Sequence, residues 1–186
     1  MPSPTSASRP SSAGPDRGEL GDLSPVTRRA QTRWALGLAV LVLLLDQLSK
    51  WLILEVVMQP PRQIEVLPFF NLVLTYNRGI SFGLFGGGSP WQPWLLSGLS
   101  LAIVVGLLIW LRHQENLAGA LAIGLVIGGA LGNVVDRLHL GAVVDFLDVH
   151  AAGWHWPAFN LADSAITIGV VLLLLDGLFW TGERGK

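Results

Sequence analysis

The chain has 186 residues, 51% of them apolar and only 13% charged, and its 12 Lys and Arg nearly cancel 13 Asp and Glu to leave a net charge of −1. A typical soluble domain is about 25% charged, so the composition argues against disorder overall and against a basic nucleic-acid surface. No cysteine is present, which excludes a disulfide scaffold, a thiolate zinc site and a cysteine nucleophile. One domain is the natural count for this length.

Residues 1–33 are rich in Ser, Pro, Gly and charge and hold almost no bulky apolar side chain. They are expected to form a disordered tail, because they cannot bury enough surface to offset their ordering entropy. The stretch is too long and polar for a signal-peptide n-region, and no small-residue cleavage motif follows. The first apolar run is therefore expected to be a retained anchor.

Four apolar segments follow, at about 34–57, 94–111, 117–135 and 161–180. A membrane-spanning helix needs about 20 mainly apolar residues, and each segment qualifies. A soluble bundle would alternate polar and apolar faces, whereas AIVVGLLIWL and ITIGVVLLLL have no polar face. The fold class expected is an all-α membrane protein, a four-helix bundle over 34–180 with a short C-terminal tail at 181–186. The Gly- and Ala-rich third span predicts close helix packing through small residues.

Arg28, Arg29 and Arg33 precede the first span, Arg112 and His113 separate the second and third, and Arg184 and Lys186 follow the fourth. The positive-inside rule places these flanks, and both termini, in the cytoplasm. The connections at 58–93 and 137–160 then lie outside. The first of them alternates well enough to predict short strands along the bilayer surface. The second carries His139, His150 and His155 in what reads as a loop.

Ionisable residues in spans are functional candidates by default. Asp46 and Lys50, four apart on one helix face, form an expected structural polar pair. Span three ends beside Asp136 and span four begins beside Asp163, so antiparallel packing brings both carboxylates to one level. Asp145, in HLGAVVDFLDV, can fold back to the same level, with Asn133, Arg137 and Asn160 nearby. Asn160 or Asp163 could serve as a helix cap, but capping does not explain all six residues. Two carboxylates sharing a proton can activate water and protonate a carbonyl oxygen without cofactor or cysteine. There is no G-x-S-x-G and no H-E-x-x-H, although composition leaves open a carboxylate site for a hard divalent cation. On position alone, Asp136 with Asp163 is the favoured pair.

The blocks DQLSKW at 46–51, NLVLTYNRGISFGLF at 71–85, GGALGNVVDRLHLGAVVDF at 128–146 and PAFNLADSAITIG at 157–169 carry a resemblance. In that order and spacing, the chain resembles the bacterial lipoprotein signal peptidases (signal peptidase II). The resemblance implies a four-helix inner-membrane aspartyl endopeptidase that cleaves prolipoproteins before a diacylglyceryl-modified lipobox cysteine. It implies Asp145 and Asp163 as the catalytic pair, with Asn133, Asp136, Arg137, Asn160, Asn77 and Gly79 supporting the site or the substrate. Asp46 and Lys50 are implied to stabilise the bundle. Ser81 departs from the Ala common in the family. Further implications are no cofactor or metal, contact with membrane lipids, cyclic peptide inhibitors such as globomycin, and a monomer. The rival readings are a small proton- or ion-coupled transporter, a purely structural membrane protein, and a metal-dependent lipid phosphotransferase.

Overall fold

The structure, a computed structural model, describes residues 25–79 and 90–180. Expectations for residues 1–24, Ser81 and 181–186 lie outside the described residues. In chain order come α1 (Pro25–Leu52), continued by a π-helical turn (Ile53–Val57), β1 (Ile64–Leu67), β2 (Phe70–Asn77) and α2 (Gln92–Leu111). There follow α3 (Leu117–Leu140), β3 (Val143–Ala151), β4 (Trp154–His155) and α4 (Leu161–Trp180). Among the described residues, four helices are long and apolar enough to cross a membrane.

Helix α1 begins at Pro25, inside the stretch read as tail. Proline suits a first helical turn because its missing N–H has no partner there anyway. VTRRAQTR then contains no Gly or Pro and several good helix formers. Polarity was the wrong guide here, because the segment is continuous with the helix of the apolar run that follows it.

Helix α3 is the central element and packs against α1, α2 and α4. Its small residues let backbones approach closely. A Cβ on Gly124 would strike the carbonyl oxygen of Ala35, and one on Gly128 would meet that of Ala39. The resulting core joins Ala35 and Ala39 of α1, Val104 and Leu111 of α2, and Ala120, Ile123, Ile127 and Ala130 of α3. By contrast, α2 and α4 leave large apolar side chains exposed, among them Leu99, Ile103, Leu174 and Leu178. Apolar surface on this scale fits lipid as its surroundings.

Both ends of α3 are fixed locally. Asn116 caps the start by accepting from Gly119 N at 2.6 Å, and its Nδ2 donates to Asp176 of α4 at 3.0 and 3.1 Å. Gly141, with φ +71°, closes the far end in the left-handed conformation that glycine adopts without steric cost. His139 belongs to the last turn of α3 rather than to a loop, because the helix runs five residues beyond the expected boundary of 135.

A four-stranded antiparallel sheet, in the order β1-β2-β3-β4, sits at the end of the bundle where α3 finishes and α4 starts. Strands β1 and β2 form in the first connection, where short strands are predicted. Strand β3 has no alternating signature, because Val143–Phe146 is buried at every position, Asp145 included. Ile53, Met58, Val144 and Phe146 form a second core that joins the sheet to α1. Pairing of Thr75 with Asp145 and of Asn77 with Val143 sets the register that matters below.

Candidate active site

Two carboxylates define the centre. Asp145 lies on β3 and is 1% exposed. Asp163 lies in the first turn of α4, beside a groove of about 470 Å³ lined also by Trp156, Pro157, Ala158, Phe159, Ser164, Thr167 and Ile168. Three asparagines hold them, each oriented by a donor on its opposite face.

Asn160 Oδ1 accepts the backbone N–H of Asp163 at 2.9 Å, so Asn160 is the helix cap that its position suggested. The same amide donates to Asp145 Oδ1 at 2.7 Å and lies 3.2 Å from Asn133 Oδ1. Asn133 Nδ2 donates to Asp163 Oδ1 at 2.7 Å. Asn77 accepts from Gly79 N at 3.0 Å and donates to Asp145 Oδ2 at 3.1 Å. The two acids are thus linked through the Asn133–Asn160 amides. Gly79 has φ +110°, a conformation that L side chains rarely adopt.

Burial pushes the Asp145 carboxyl up to about 6, and the nearby Asp163 charge pushes the same way. Hydrogen bonds from Asn77 and Asn160 and the charge of Lys50 oppose the rise. Arg137 stands within electrostatic reach of Asp136, Asp145 and Asp163. Its Nη1 makes a long 3.5 Å contact with Asn133 O, and its Nε is buried without a hydrogen-bond partner.

All six residues expected at one level do converge. Asp136, however, faces Lys50 Nζ at 2.8 Å, Gln47 Nε2 at 2.9 Å and Val144 N at 3.1 Å. With those partners it braces the start of β3. The Asp46–Lys50 pair, 2.8 Å apart, is part of this same network and not an isolated pair. Gln47 was not singled out in the sequence, yet it links Asp46 Oδ2, Gly132 O and Asp136 Oδ1. Its place beside Asp46 was the available signal. A second polar cluster was also missed: Asp148 accepts from Asn71 at 2.9 Å and pairs with His155 at 2.9 Å. The Asn71 hydrogen bond holds the Asp148 carboxyl below its ordinary range, and His155 stacks on His150 with ring centroids 4.6 Å apart. Among the described residues, no three His, Asp or Glu side chains converge as a metal-ligand set.

Fold and site together define a multi-span membrane protein with an asparagine-held acid pair at one end of its helix bundle. The signal peptidase (SPase) II profile matches residues 38–179. A lipoprotein signal peptidase of Burkholderia multivorans is 49% identical over 157 residues, covering 84% of this chain and 93% of the relative. That of Burkholderia vietnamiensis is 48% identical over the same shares. A bacterial membrane enzyme solved by the in meso method at 2.3 Å superposes with a TM-score of 0.70 at 34% identity, covering 81% of this chain and 90% of that one. The chain belongs to the signal peptidase II family. That membership leaves the transporter alternative without support.

Proposed function

We propose that this protein removes signal peptides from prolipoproteins as an aspartyl endopeptidase, with Asp145 and Asp163 as the acids that act on the scissile bond. The observation that carries the reading is the pairing itself. Two carboxylates are joined through Asn133 and Asn160 beside an apolar groove, while the neighbouring Asp136 is bound to Lys50 and to the β3 backbone. The substrate is a prolipoprotein whose lipobox cysteine carries diacylglycerol, and cleavage falls just before that cysteine. Its lipid chains remain in the bilayer against the exposed apolar faces of the helices. Cyclic peptide inhibitors of the globomycin kind are candidates for the same groove.

The charged flanks support both termini in the cytoplasm, with the acid pair near the outer face, where water reaches Asp163 through the groove. The mechanism needs one acid of the pair ionised and the other protonated. The ionised carboxylate takes a proton from water as its oxygen attacks the scissile carbonyl carbon. The protonated acid donates to the carbonyl oxygen. Collapse of the tetrahedral intermediate then breaks the C–N bond, and a proton passes to the departing cysteine amine. Asn77 and Asn160 keep Asp145 oriented, Asn133 does the same for Asp163, and Arg137 stands beside both.

Asp145→Asn and Asp163→Asn should each abolish cleavage of a diacylglyceryl-modified prolipoprotein in a gel-shift assay, with the protein still inserted and folded. Near-normal processing by either variant would remove the pair from its role. Cleavage by the wild type should also withstand a chelator, whereas loss of activity on chelation would favour metal chemistry.

A further inference from the structure

The residue immediately before each acid of the pair has its backbone N–H bound to a buried carboxylate. Ala162 N, one residue before Asp163, donates to Asp46 Oδ1 at 2.9 Å. Val144 N, one residue before Asp145, donates to Asp136 Oδ2 at 3.1 Å. Lys50 Nζ bridges these two carboxylates, 2.8 Å from Asp46 Oδ2 and 2.8 Å from Asp136 Oδ2. Its remaining contact, 3.2 Å to Asn133 Oδ1, orients the amide that donates to Asp163. Asp46, Lys50 and Asp136 are 0%, 3% and 4% exposed, so little solvent screens the network.

The two acids ride on different elements, β3 and α4, and no hydrogen bond between their own carboxylates fixes their separation among the described contacts. We propose that the Asp46–Lys50–Asp136 triplet is a positioning device, which sets the separation of the Asp145 and Asp163 carboxylates by clamping the chain one residue before each. The inference rests on the reading of Asp145 and Asp163 as the catalytic pair. Buried ion triplets are a poor source of stability, because desolvation offsets their attraction, and neutral replacements often fold as well. Geometry is what this one supplies: a single cation ties the start of β3 to the start of α4.

Lys50 also acts on the pair by its field, since its charge opposes proton uptake at Asp145. The other groups facing Asp145 are Asn77 of β2, Asn160 of the β4–α4 connection, Asp163 of α4 and Arg137 of α3.

The test uses the full chain in lipid vesicles with a synthetic diacylglyceryl-modified prolipopeptide. The variant Asp46→Asn/Lys50→Met/Asp136→Asn keeps an acceptor for each backbone N–H but removes the cation that joins them. The expected result is a folded protein whose kcat falls about 100-fold while KM changes by less than about threefold. A wild-type kcat in that variant would overturn the proposal. Should the triple variant fail to fold, Asp46→Asn alone decides, since it retains the Lys50–Asp136 pair. A reduced kcat at unchanged KM supports the clamp, and wild-type kcat refutes it. Failure of both variants to fold also refutes it, by making the triplet a requirement of the bundle and not of the acid pair. Asp145→Asn and Asp163→Asn, run in parallel, keep the two readings separate: activity in either removes the pair itself, whatever the triplet does.

Discussion

At the residue scale, Asp145 combines near-complete burial with two amide donors, and the burial wins, lifting its carboxyl to about 6. The charge on Asp163 contributes to that rise. The sign follows. Above about pH 6 the Asp145 carboxyl of the free enzyme is ionised, and below it Asp145 carries the proton that the acid role needs. The kcat/KM profile, which reports the free enzyme, should therefore fall as pH rises through about 6. Substrate filling the groove adds burial, so the same limb in kcat should lie higher. Initial rates at limiting and saturating prolipopeptide separate the two limbs, and a profile flat through this range would count against the assignment. Lys50 makes a second residue-scale case. Lys50→Met alone strands two buried carboxylates and should destabilise the protein by about 3–5 kcal/mol, read as a lowered Tm in detergent. The triple neutral replacement should lose far less.

At the element scale, the α1–α3 contact depends on glycines spaced four apart. Gly124 faces the backbone of Ala35, Gly128 that of Ala39, and Gly132 the carboxylate of Asp46. Gly124→Val should destabilise the bundle by about 1–3 kcal/mol through overpacking against a carbonyl that cannot yield. Gly132→Ala should instead act on activity, because its methyl group meets Asp46 and through it the clamp on Ala162. Gly37→Ala, with nothing near its added atom, is the control and should stay within about 0.5 kcal/mol of wild type. Thermal melts and rates on the three variants would distinguish packing from positioning. The small-residue stripe was legible in the sequence as a packing surface. The partner of each glycine was not, since helix rotation and register depend on where α1 and α4 settle. Strand β3 was hidden for a related reason: buried on both faces, it has no alternation to read. That is also why chain order favoured Asp136, on a helix end, over Asp145. Only the strand turns Asp145 toward Asp163 and leaves Asp136 to bind Val144 N. Capping at Asn160 and the convergence of α3 and α4 could be inferred, because both follow from local sequence and antiparallel order.

At the scale of the whole molecule, the exposed tryptophans mark two levels. Trp34 and Trp51 stand at opposite ends of the apolar part of α1, and Trp94 and Trp110 do the same on α2. Seventeen and sixteen helical residues separate them, or about 25 Å at 1.5 Å per residue, close to the thickness of a hydrocarbon core. Tryptophan favours such interfaces, where its ring is apolar and its N–H is wet. Trp51 and Trp94 share the end that carries the sheet and the acid pair, together with exposed Trp154 and Trp156 of the β3–β4 region. These levels support the proposal that the acid pair lies near one membrane boundary, and the basic flanks favour the outer side. The lack of native cysteine makes this testable without background. In spheroplasts, a membrane-impermeant thiol reagent should label Arg62→Cys, in the connection between α1 and β1. It should leave His113→Cys, between α2 and α3, unlabelled until the membrane is opened. The reverse pattern would place the acid pair on the cytoplasmic side and overturn the proposed orientation.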